Sequence, residues 1–269
     1  MDLKIFDVEH GACALLTADN NARLMLDAGH NGSTNWRPGT YLRQQNIGQL
    51  EMLGITNYDE DHVSGIEDLF DNVNVQWLTR NPSVSTAVLK KLKSADGMGP
   101  GIDRLCNAID KVFTGGVGVS AQPTFLGLKC STFHNAYPSF DDENNLSMLF
   151  FLECHGTGVL FTGDLETAGW IELLKDPLFR ATLPRVNVLA APHHGRENGC
   201  CEEAMKLCTN LFYVVISDKG YQYETQLTNP FYSRFAKGGP FRGQTRKILT
   251  TRNDGRIGFT FSADGWHPY

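Results

Sequence analysis

"TNYDEDHVSG", Thr56 to Gly65, places Asp59, Glu60, Asp61 and His62 on consecutive positions directly after an apolar run. Neighbouring carboxylates repel, so the segment needs either open solvent or a compensating cation. As a solvated turn it would cap the next helix, with Asp61 as the N-terminal cap. As a metal nest it would need ligands from elsewhere in the chain. "LEMLGITN" before it reads as a short buried strand. "SGIEDLFDNV" after it has helical spacing, with Ile66, Leu69 and Phe70 on one side. The acidic cluster therefore sits at the C-terminal end of a strand, where α/β proteins build their sites.

Other polar groups share that address. His134 ends the strand pattern "LKCSTF", Asp164 follows "GVLFTG", and His193 with His194 follow "VNVLAAP". Loops remote in sequence converge when their strands belong to one sheet edge. Mixed imidazoles and carboxylates in this number suit a site for two divalent metal ions, which activates water and stabilises attacking and leaving oxygens. The bland readings differ for each group. Asp164 at a helix start can be a simple cap, and a lone histidine such as His134 is often a satisfied structural residue. His10, His30, His155 and His267 read as surface or structural residues. His10 comes near the site only if the first strands pack beneath it. Glu60 is expected to point to solvent.

Around these loops the pattern is α/β. "LKIFDVEHGACALLTA" reads as a strand broken at Gly11, and the "DNN" turn joins it to "ARLMLDAGHNG" as a hairpin. Pro38 marks the first turn of a helix. Residues 81–116 contain two amphipathic helical patterns, "VSTAVLKKLKSA" and "IDRLCNAIDKVF", and read as a helical insert. The insert either covers the site or belongs to an outer helical layer. "LSMLFFLEC", "GVLFTGDL", "RVNVLAAP" and "LFYVVIS" return to strands. A chain of 269 residues, 41% hydrophobic and 20% charged, can bury a sizeable core, and it reads as a single domain over residues 1–269.

Composition excludes some classes. A net charge of −6 argues against a general nucleic-acid coat protein but not against an enzyme acting on nucleic acid. The opening "MDLKIFDVEHG" lacks the features of a signal peptide, and no apolar run is long enough for a membrane span. Seven cysteines without a C-x-x-C pair point to reduced thiols and a cytoplasmic location. Of Cys200 and Cys201, one is expected to be buried and the other partly exposed. The basic, Gly-rich "GGPFRGQTRK" is either a solvated loop or a phosphate-backbone contact.

The ordered set "FDVEHGACALLT", "LMLDAG", "TNYDEDHVSG", "NNLSMLF", "LFTGDLE" and "PHHG" resembles the metallo-β-lactamase superfamily, and within it the ComEC-type competence-protein hydrolase domain. The resemblance runs from Leu3 to about Ala263 and implies a four-layer αββα sandwich. It implies roles residue by residue. Asp59 and His134 would hold a first metal; Asp61, His62 and one histidine of "HHG" would hold a second; Asp164 would bridge them. His194 is taken as the ligand, with Asp61 and His193 in the catalytic machinery and His193 on substrate phosphate or a proton; the reverse assignment of the two histidines stays open. Asp27 would fix the acidic loop, and Asn144, Asn145 and Ser147 would shape the site. Asn57 stands where the superfamily has a histidine and would be a weak ligand. Asp59 in place of a second histidine shifts preference toward Mn²⁺ or Mg²⁺ from Zn²⁺. A downstream histidine has no match, and Tyr221, Tyr223 and Glu224 stand in its region.

The implied function is a metal-dependent hydrolase of phosphate esters, a nuclease or phosphodiesterase whose metal pair activates water, acting on nucleic acid or a small phosphodiester. The same fold also serves other esters, lactones and cyclic nucleotides. A third reading is a degenerate, non-catalytic binding or regulatory module with a protein partner.

Overall fold

Met148–Cys154 is apolar at almost every position because both of its faces are covered. Phe150 and Leu152 enter one buried cluster, while Leu149 and Phe151 enter another on the opposite side. This is the period-two alternation of a strand in the middle of a layered protein. The computed structural model describes residues 1–94, 97–115, 122–219 and 225–269.

Two sheets face each other. The first has seven strands in the spatial order Gly265–Pro268, Ile257–Ser262, Asp2–Ile5, Ala14–Thr17, Arg23–Leu26, Met52–Gly54 and Leu78–Thr79. The second has six: Ile248–Thr250, Tyr213–Ile216, Val186–Ala190, Thr157–Phe161, Met148–Cys154 and Leu128–His134. Leu3, Leu16 and Leu24 of the first sheet meet Phe150, Leu152, Phe161 and Val188 of the second. Helices cover both outer faces. Pro38–Gln44 and Ile66–Asn72 lie on the first sheet, and Thr167–Leu173, Pro177–Thr182 and Glu202–Leu207 lie on the second. The order of layers is therefore αββα.

The two helices expected within 81–116 are Thr86–Leu92 and Pro100–Lys111. Ser85 caps the former through the Val88 N–H, and Pro100 opens the latter. Their Leu89, Ile102, Leu105 and Ile109 join the core beneath the first sheet, so they belong to the outer helical layer. One expectation is corrected here. "LKIFDVEHGACALLTA" is two antiparallel strands, Asp2–Ile5 and Ala14–Thr17, joined by a loop that carries His10. Glu9 in that loop takes a φ of 63°, which strand geometry forbids. The expected hairpin between Ala14–Thr17 and Arg23–Leu26 is present.

Met52–Gly54 runs parallel to Arg23–Leu26. Thr157–Phe161, Val186–Ala190 and Tyr213–Ile216 run parallel to one another in the second sheet. Their C-terminal ends deliver the polar loops to one edge of the sandwich. Among the described residues, no helix is long and apolar enough to cross a membrane.

Candidate metal centre

Asp27 follows the strand Arg23–Leu26 with φ 58°, a left-handed conformation that turns its carboxylate inward. Its Oδ1 accepts the Thr56 N–H at 2.7 Å and its Oδ2 the Thr56 hydroxyl at 2.5 Å. These bonds tie the acidic loop to the strand before it. The same Oδ2 lies 3.0 Å from Nδ1 of His62, in the short helix Glu60–Val63. His62 Nε2 is then aimed at Oδ1 of Asp164, also at 3.0 Å. Asp164 is held from behind by its own N–H, which donates to Ser147 Oγ at 3.0 Å. His194 completes the cluster, with Nε2 3.3 Å from Asp61 Oδ2 and 3.5 Å from Asp164 Oδ1.

The histidine turn is strained. His193 and His194 have φ values of 48° and 53°, and Gly195 follows at 80°. A left-handed non-glycine residue costs about 1–2 kcal/mol. Two in succession, pinned by the His193 N–H to the Gly163 carbonyl at 3.0 Å, are the kind of strain that collects at functional sites.

Close backbone approach assembles the other wall. A Cβ at Gly11 would lie 2.5 Å from the Asp61 carbonyl oxygen, and one at Gly29 would meet the same atom at 2.5 Å. Two glycines therefore clasp the acidic loop and bring His10 over His194, their ring centroids 4.3 Å apart. His10 is the neighbour that sequence reading left as structural. Its signal was Gly11, which marks a backbone position needing close approach.

Electrostatics favours a cation here. Burial alone would strip His62 of its proton, yet Asp164 and Asp27 hold its pKa well above the ordinary imidazole value. Burial likewise opposes charge on His194, and Asp164 with Asp61 still raise its pKa. For Asp164, 2% exposed, burial pushes the pKa up, but His62 and His194 hold it below the usual carboxylate range. His10 goes the other way, pushed down to about 3 by burial and by His194.

The residues fit a divalent ion. Donor atoms of His62, Asp164 and His194 lie within 4.8 Å of one another, as do those of His10, Asp61 and His194. His194 Nε2 is buried without a hydrogen bond. Imidazole nitrogens with carboxylate oxygens are a donor set for manganese or zinc. The Asp27 carboxylate behind His62 is the partner that orients a ligating imidazole.

The remaining expected residues are placed differently. His193 stands beside the cluster, its Nε2 4.0 Å from Asp164 Oδ2 and its Nδ1 3.7 Å from Glu166 Oε1. Asn57 is fully buried; its amide oxygen accepts the Asp59 N–H at 2.7 Å, and its amide nitrogen donates to Ser147 Oγ at 3.1 Å. The Asp59 carboxylate is paired with Lys93 Nζ. His134 belongs to neither donor group. Its strand is at the sheet edge, two spacings of about 4.8 Å from the strand that delivers Asp164.

Glu60 is a correction. Its carboxylate does not face solvent but accepts the N–H groups of Gly101 and Ile102, at 2.8 and 3.1 Å, at the start of the helix Pro100–Lys111. Helix starts attract carboxylates through unpaired N–H groups and the helix dipole. Asp61 lies inside the helix Glu60–Val63, whose N-cap is Asp59. Asn144 donates to Glu166 at 3.1 Å, and the Asn145 side-chain oxygen accepts the Gly169 N–H at 2.8 Å. In "GGPFRGQTRK", Arg246 is paired with Asp254 at 3.2 Å and Arg242 donates to the Asp254 and Arg256 carbonyls. Cys201 is buried and Cys200 partly so. Tyr221, Tyr223 and Glu224 lie outside the described residues.

Above the cluster an open cleft of about 380 Å³ is lined by Asp59, Asp61, Asp164, His193, Arg196 and Lys219 among others. Arg196 reaches His10 Nε2 at 3.1 Å, and Lys219 pairs with Glu9 at 3.0 Å.

This architecture is the metallo-β-lactamase fold. The metallo-β-lactamase fold protein YhfI from Bacillus subtilis matches with a TM-score of 0.50 at 10% identity, over 93% of this chain and 96% of that one. Zn²⁺-bound PqqB from Methylobacterium extorquens also gives 0.50, at 13% identity over 95% and 98%. In sequence, the chain is 27% identical over 189 residues to ComE operon protein 3 of Bacillus subtilis (strain 168). That match takes in 68% of this chain and 22% of the relative, so the chain spans about a fifth of that protein's length. The sequence match supports the resemblance to the competence-protein group, and the structural matches show the fold. No family model matches the chain.

Proposed function

We propose that the chain is a metal-dependent hydrolase of phosphate esters, of the nuclease or phosphodiesterase class. The observation that carries this reading is the buried His62, Asp164 and His194 cluster, backed by Asp27 and reaching an open cleft through Asp164. A divalent cation held there would lower the pKa of water toward about 7 and offset charge on phosphoryl oxygens. Manganese and zinc suit the donors better than magnesium, which prefers oxygen.

The chain's own groups would divide the remaining work. His62, Asp164 and His194 would hold the cation, and Asp61 flanks His194 on the cleft side. Burial lowers the pKa of His193, so at neutral pH it is an uncharged imidazole facing the cleft. In that form it can give an N–H to a phosphoryl oxygen or accept a proton from the attacking water. Among the described residues, Arg196 and Lys219 are the two cationic side chains on an otherwise acidic rim and supply its points of contact for an anionic substrate. The unpaired thiols support a reducing, cytoplasmic setting.

The test is a substrate panel in added Mn²⁺: single-stranded DNA, RNA, a cyclic nucleotide and a lactone. Cleavage of phosphodiesters that Asp164→Ala abolishes is the expected result. Because the Ala variant keeps the N–H bonded to Ser147, its loop should remain in place. Lactone hydrolysis alone would reassign the substrate, and undiminished turnover by Asp164→Ala would refute the site.

A further inference from the structure

We propose that the ammonium of Lys93 takes the place beside Asp59 that a second cation would occupy, so that the cleft binds one divalent ion. The inference rests on the metal-hydrolase reading above and replaces the cation pair expected from the sequence. Lys93 directly follows the helix Thr86–Leu92 and is only 5% exposed, which is rare for a lysine without a partner. Its Nζ is bonded to Asp59 Oδ1 and, at 2.5 Å, to Glu143 Oε1. One ammonium thus bridges two carboxylates from different loops.

The neighbouring groups are committed elsewhere. Asn57 uses its amide oxygen on the Asp59 N–H and its amide nitrogen on Ser147, Asn144 and the Glu143 carbonyl. Among the described residues, neither Asp59 nor His134 enters any group of three ligand atoms close enough to share an ion, and the two groups that do form both draw on His194. A dication on Asp59 would have to displace a buried ammonium or sit against it, and like charges in a poorly solvated place repel strongly. Lys93 gives Asp59 its counter-charge without a metal, and a chelator cannot remove it. It is a positioning residue, since it acts on the cleft through Asp59.

The experiment counts ions independently of turnover. Metal-free wild-type protein is titrated with Mn²⁺, with bound metal measured by elemental analysis and spin coupling by electron paramagnetic resonance. About one equivalent, with the spectrum of an isolated ion, is expected. Lys93→Ala frees Asp59 and Glu143 and should take up a further equivalent, whereas Lys93→Arg should stay at one. If Lys93→Ala fails to fold, Lys93→Gln, which keeps a donor for Glu143, replaces it. Two equivalents in the wild type, or a folded neutral variant that still stops at one, would overturn the inference. No bound metal in either protein would instead overturn the hydrolase reading, and this inference with it.

Discussion

Oδ2 of Asp27 lies 3.0 Å from Nδ1 of His62, which leaves Nε2 of the same ring directed at Asp164. A carboxylate behind an imidazole sets which nitrogen is free and raises its basicity. Asp27→Asn keeps an acceptor for the Thr56 N–H but loses the negative charge. Metal affinity should fall by roughly 10–100-fold while the circular dichroism spectrum is retained. Titration with Mn²⁺ checks this, and unchanged affinity would remove Asp27 from the site.

Gly11 and Gly48 make a matched pair. A Cβ at Gly11 would press on the Asp61 carbonyl oxygen at 2.5 Å, while one at Gly48 meets nothing within 4 Å. Gly11→Ala should destabilise by about 1–3 kcal/mol and weaken metal binding, because the His10 loop and acidic loop must part. Gly48→Ala should stay within about 0.5 kcal/mol of wild type. Urea denaturation of both variants gives the comparison.

Glu60 offers a test that separates stability from chemistry. It caps the helix Pro100–Lys111 through two N–H groups. Glu60→Ala should lose about 0.5–2 kcal/mol, with metal stoichiometry unchanged. A loss of bound metal at native stability would place Glu60 in the metal centre instead.

The paired charges predict a pH profile for the metal-free protein. His62 and His194 have raised folded-state pKa values, burial being outweighed by Asp164 and its neighbouring carboxylates. Their stabilisation is complete below the unfolded value of about 6.5 and is lost as pH rises through the folded values. Asp61 and Asp164 are depressed, burial being outweighed by His194 and His62. Their share is present above the unfolded value of about 3.9 and is lost as pH falls through the folded values. Chelated protein should therefore be most stable between about pH 4 and 6.5 and soften above that window. Saturating Mn²⁺ should remove the alkaline decline, since metal displaces those protons. Denaturation midpoints measured with and without chelator test both limbs.

Much of the architecture was legible because local pattern carries it. Apolar runs such as "LSMLFFLEC" read as buried strands, and a polar loop closes each of the inner parallel strands. Asp61, His62, Asp164 and His194 share one place because the parallel strands, or the turns after them, end at the same edge. The role of Asp27 as the loop's anchor was implied by the family resemblance, and its bonds to Thr56 agree with it. The first strand was misread, since nothing local distinguishes a strand with a glycine break from two strands and a functional loop.

The sequence by itself determined most of the strand-and-loop order and the loop addresses of the cluster, because period-two burial and turn chemistry act over a few residues. The layering followed from the family resemblance and from the packing of the two sheets. Tertiary packing decided which polar side chains face each other. In "KKLK", helical spacing sets Lys93 on the face of buried Leu89 and Lys90 and Lys91 off it, but only the structure shows Lys93 buried against Asp59 and Glu143. Asn57 turned to the backbone, Glu60 to a helix start, and His134 stayed on an edge strand. Lys93 and Glu60 met partners supplied by segments tens of residues away, a distance over which local sequence pattern carries no information.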